Sequence, residues 1–73
     1  MAKAPRITGK QLLAALQKSG FTIVRTRGSA HILQKGQSTV SIHIHAGDVL
    51  KQGTLGGILD QAGLTVDELR ELL

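Results

Sequence analysis

The sequence predicts an α+β domain, a three-stranded antiparallel sheet with helices on one face and a short C-terminal helix. Three observations carry that expectation. A helical stripe of Leu12, Leu13, Ala15 and Leu16 precedes a β-branched run. Apolar and polar residues then alternate from Thr39 to His45. A second helical stripe, Leu55, Ile58, Leu59 and Ala62, follows the strands. At 73 residues the chain fits one domain, 1–73, with residues 1–6 expected as a flexible N-terminal tail.

Each element has its own signal. Thr8-Gly9-Lys10-Gln11 reads as a capping box, with Ile7 and Leu12 placed as a hydrophobic staple across it. Gly20 is suited to a left-handed helix end. The first strand, residues 21–27, puts Phe21, Ile23 and Arg25 on one face and Thr22, Val24 and Thr26 on the other. Gly28-Ser29 breaks that run, and the second strand occupies residues 30–35 before the turn signal Lys35-Gly36-Gln37. In the third strand Val40, Ile42 and Ile44 point one way, and Thr39, Ser41, His43 and His45 the other. Ala46-Gly47-Asp48 ends the sheet, and Gly63 closes the second helix. Gly56-Gly57 weakens that helix by ~1 kcal/mol per residue relative to alanine. That helix is expected to lean on tertiary packing, or its glycines to admit the sheet closely. Leu64 to Leu69 repeats the opening device, with a Thr65/Glu68 capping box and a Leu64/Leu69 staple.

The resulting order, α-β-β-β-α with a short extra helix, leaves one sheet face dry and one wet. That is the layout of the double-stranded-RNA-binding fold. A fold by itself does not assign a function.

Charge is distributed unevenly. Residues 1–36 hold seven Lys/Arg and no acid, whereas residues 37–73 hold two Lys/Arg against five acids. A basic half without acids points to a polyanion, most simply nucleic acid, although it also serves as an ordinary solvated face. No cysteine is present, so no disulfide or thiol nucleophile is expected and the cytoplasm is the natural compartment. Three histidines without thiols fall short of the four ligands of a structural zinc, and no cofactor is expected. Residues 1–6 are followed by no apolar segment, and no apolar run nears the ~20 residues of a membrane span. Neither a signal peptide nor a membrane association is expected. Phe21 is the one aromatic, which argues against a base-stacking platform.

Chemistry concentrates in Arg25-Thr26-Arg27-Gly28-Ser29-Ala30-His31-Ile32-Leu33-Gln34-Lys35. Guanidinium forks, a glycine open to close approach, a hydroxyl and an imidazole suit a phosphodiester. Metal-free RNA cleavage needs a base for the 2′-hydroxyl, donors for the phosphate and an acid for the leaving oxygen, and histidine serves as either proton-transfer group. His31 equally reads as a strand histidine covering a sheet face. His43 and His45, two apart on the wet face, lack an evident third ligand for a metal and read as polar face residues.

The chain resembles the HicA family of toxin–antitoxin mRNA interferases. The likeness runs through Ile7-Thr8-Gly9-Lys10-Gln11-Leu12-Leu13, Lys18-Ser19-Gly20-Phe21 and the 25–31 stretch. It continues in His45-Ala46-Gly47-Asp48, Lys51-Gln52-Gly53-Thr54-Leu55 and Ile58-Leu59-Asp60-Gln61-Ala62-Gly63-Leu64-Thr65. The resemblance implies a double-stranded-RNA-binding-like fold, metal-independent cleavage of mRNA by a histidine, and inhibition by a HicB-type antitoxin. In that family the catalytic histidine directly follows the Gly-Ser pair, where this sequence has Ala30. His31 matches the neighbouring position, which often carries a second histidine or an aromatic. The expectation is therefore a catalytically disabled form, natural or engineered, with Ala30 in the catalytic place. Lys10, Arg25, Arg27, Ser29, His31 and Lys35 are candidate RNA contacts, and His45 is a weaker one. The alternative is a non-catalytic RNA-binding or antitoxin-docking module in which Ala30 is native.

Overall fold

A computed structural model describes residues 5–45 and 47–73. Residues 1–4 of the expected tail lie outside the described residues. The elements run α1 (Gly9–Lys18), β1 (Thr22–Arg27), β2 (Ala30–Lys35), β3 (Ser38–His43), α2 (Gln52–Ala62) and α3 (Val66–Leu72). The architecture is α+β in the expected order.

Local chemistry sets the helix ends. The Gln11 amide donates to the Thr8 hydroxyl at 3.2 Å, while the Thr8 amide donates to Gln11 Oε1 at 2.9 Å. Thr65 and Glu68 make the same reciprocal pair at the start of α3. At the end of α1, Phe21 N donates to Leu16 O and Gly20 N to Gln17 O, a Schellman closure with Gly20 at φ 111°. A side chain at Gly20 would be strained there. It would also meet Lys35, whose Cε lies 3.2 Å from the Cβ position. The close of α2 repeats these bonds through Gly63 and Leu64.

The sheet order is β1-β2-β3, all antiparallel. Its helix-facing side contributes Leu33, Val40 and Ile42, each 0% exposed, to a core with Leu12, Leu16 and Leu55. Leu69 of α3 joins the same core. The β3 alternation is as expected, although the strand ends at His43 and not at His45.

Two further expectations need correction. The β1–β2 register shifts between Ile23 and Arg25, so β1 does not alternate uniformly. Val24 is the extra residue of a β-bulge, and it stands 54% exposed on an edge strand. Gly56 and Gly57 admit no close approach by the sheet, since a Cβ at either would meet nothing within 4 Å. A connection not anticipated from the sequence joins the segment before α1 to the one after β3. Thr8 bridges Val49, and Leu50 N donates to Ile7 O at 2.8 Å.

Candidate nucleic-acid interface

The site is built on the β1–β2 hairpin, whose loop is two residues long. Gly28 has φ 56° and Ser29 has a negative φ, the sign pattern of a type II′ turn with glycine first. Such a turn follows the twist of the strands, so Arg27 and Ala30 face each other directly.

Register then decides which side chains share a face, because directly paired residues project to the same side. Arg27 pairs with Ala30, and Ala30 with His43. One row across all three strands is thus Arg27, Ala30, His43. The next row on that face is Arg25, Ile32, Ser41. Without the bulge, Arg25 and Arg27 would follow Ile23 onto the core side. The extra residue at Val24 turns both guanidinium groups onto the open face.

His31 pairs with Thr26 and Ile42, on the side opposite Ala30. It is half-buried, and its Nδ1 donates to the Ser29 carbonyl oxygen at 3.2 Å. That oxygen also accepts from Ile44 N at 2.8 Å. His31 therefore braces the turn that precedes position 30. Lys35 lies at the far end of β2, paired with Ser38. Its ammonium donates to the Ser19 carbonyl at 2.7 Å, holding the end of α1. Lys10 is exposed in the first turn of α1, next to Gly9, which packs against the end of β3. A Cβ on Gly9 would lie 3.2 Å from Ile44 Cγ1 and 3.3 Å from His43 O. The structure thus gathers Arg25, Arg27 and Ala30 on one face, with Ser29 in the adjoining turn and Lys10 at the same end of the sheet, and separates His31 and Lys35 from them.

His43, a polar face residue by its sequence pattern, joins the group. Its signal was the wet-face alternation of β3, but only the register of two hairpins shows which β2 residue it meets. Beyond it, an open groove of about 290 Å³ runs between β3 and α2, lined by Ser41, His43, Leu50, Thr54 and the Cβ-free Gly53 and Gly57. Among the described residues no group of three or more His, Cys, Asp or Glu is placed to hold a metal. No helix among them is long and apolar enough to cross a membrane.

Residues 9–64 match the family model described as HicA toxin of bacterial toxin–antitoxin. The chain belongs to the HicA toxin family. The match spans α1 to the close of α2 and includes the whole sheet. A search of curated proteins finds no match to the chain. As a HicA toxin the chain is the toxin member of a toxin–antitoxin pair, so its partner is an antitoxin. The bulged arginines and the turn lie inside the matched region.

Proposed function

We propose that this HicA-family chain is an RNA-directed toxin of the cytoplasm whose open sheet face grips the mRNA backbone, and whose cleavage site lacks its imidazole at Ala30. The carrying observation is the row Arg27, Ala30, His43, with Arg25 beside it on the same face. Arg25 and Arg27 offer planar forks for phosphate oxygens. Lys10 adds positive charge at the N-terminal end of α1, and nothing lies within 4 Å of the Gly28 Cβ position in the turn before Ala30. Proton transfer is assigned to imidazole, as the family resemblance implies. His31 and Lys35 support this surface from behind.

Phosphate-dominated binding responds steeply to salt. RNA affinity is expected to fall by roughly two orders of magnitude or more over a few-fold rise in salt. The double change Arg25→Ala with Arg27→Ala weakens binding to all sequences and flattens the slope by about two units. Filter binding across a salt series checks this. An unchanged slope and affinity would remove the hairpin from the RNA surface.

The same face sets the expectation for a HicB-type antitoxin. Acidic groups of the antitoxin are expected to cover residues 25–35, because complementary charge accelerates encounter and fixes orientation. Arg27→Glu then slows association, and slows it more at low salt than at high salt. Stopped-flow association rates report the difference. A cognate complex with this hairpin left in solvent contradicts the expectation.

A further inference from the structure

We infer that His43 is the second imidazole of the RNA site, a phosphate contact when protonated and the proton donor to the leaving oxygen. This rests on the proposed action on RNA. Ile44 N donates to Ser29 O, so Ser29 and Ile44 form a hydrogen-bonded pair. The next pair, Ala30 with His43, is then a non-hydrogen-bonded one, whose Cα atoms stand only ~4.5 Å apart with side chains closest. His43 is exposed beside the position that the resemblance marks as catalytic, and Arg27 flanks that position on the other side.

Cleavage through the 2′-hydroxyl moves two protons. The 2′ oxygen attacks phosphorus as its proton passes to a base. The P–O5′ bond breaks, and the departing 5′ oxygen takes a proton from an acid. The products are a 2′,3′-cyclic phosphate and a 5′-hydroxyl. One imidazole performs both transfers poorly within a single step, because it starts in only one protonation state. Residue 30, when histidine, is placed to act as base, and His43 as imidazolium is placed to act as acid. In the chain as it stands the acid remains and the base is gone.

The charged and titratable groups around His43 come from β1, the loop after β3 and the start of α1. On this face β1 presents Arg25 and Arg27, and β2 presents no ionisable group, since His31 lies on the other side. The α2 residues lining the groove include none. The loop after β3 carries His45, Asp48 and Lys51, and Lys10 follows Gly9, which packs on the His43 carbonyl.

Two measurements test the inference. The first uses the Ala30 chain and a 2′-O-methylated single-stranded RNA, which cannot be cleaved through its 2′ oxygen. Affinity is expected to fall several-fold between about pH 5.5 and about pH 8, the range in which imidazole loses its charge. His43→Gln should abolish that fall at the weaker level, and His43→Lys should abolish it at the stronger level. An identical fall in the parent and in His43→Gln overturns the contact. The second measurement uses the Ala30→His chain and cleavable RNA. There His43→Gln should lower kcat by ~100-fold or more and remove the decline of rate at high pH. A bell-shaped profile kept in that double variant overturns the acid role. If Ala30→His restores no cleavage, the catalytic reading of position 30 fails and the acid role falls with it. The binding result then still decides whether His43 touches RNA.

Discussion

Ala30→His is expected to raise RNA cleavage by ~100-fold or more, with a chelator present and no metal added. The gain follows from placement. The turn at Gly28-Ser29 and the pairing with Arg27 and His43 present residue 30 on the open face between those two side chains. On the proposed function, an imidazole there reaches a phosphodiester held by the arginines. His31 cannot substitute, because it projects from the opposite face and its Nδ1 is engaged with the Ser29 carbonyl. Displacement of a reacting group by ~1 Å already costs on the order of 100-fold, and a change of face costs more. In the Ala30→His chain, His31→Ala should therefore reduce cleavage less than reverting position 30. Expressed without its antitoxin, the Ala30→His chain should arrest growth, and the parent should not. Equal cleavage by the parent and the Ala30→His chain would show that the reacting position lies elsewhere.

Leu33→Ala is expected to unfold much of the population. Leu33 sits on the middle strand between Ile23 and Val40, fully buried against the helices. Truncating a buried leucine costs ~2–5 kcal/mol, the transfer free energy plus the cavity. A domain of this size, with no disulfide, holds a net stability of only ~3–5 kcal/mol. The cost is thus comparable to the whole margin. Thermal unfolding followed by circular dichroism should show a midpoint lower by at least ~10 °C. Val24→Ala, at the exposed bulge, should change stability by less than ~0.5 kcal/mol. Equal midpoints for the two variants would mean that Leu33 does not anchor the core.

Where side chains bond their own backbone neighbours, the sequence was sufficient. Both capping boxes, the Gly20 and Gly63 helix ends and the glycine-first turn at Gly28 are local, and each forms as its residues indicate. Alternation located the dry face of β3 for the same reason, since one residue type per side leaves one register. The β1 faces were misread because a bulge leaves no local mark. Ile23-Val24-Arg25-Thr26 fits an unbroken strand equally well, and only the partner strand shows that two residues oppose Ile32. The place of His43 beside Ala30 was hidden in the same way, as a matter of pairing across 13 residues of sequence separation. The family resemblance implied which position is catalytic, and the register shows what stands beside it.

The bulge also bears on how the sheet meets other strands. β1 is an edge strand of the three, and an unbroken edge offers its free amides and carbonyls as a template for another chain. The extra residue at Val24 interrupts that edge near its middle, leaving no regular run long enough for a partner strand to zip along. Arg25 and Arg27 on the same strand add charge repulsion between two such edges. The device that aims the arginines thus also protects a small basic protein against edge-to-edge self-association. It further favours recognition of this chain across its face, through side chains, over recognition by sheet extension.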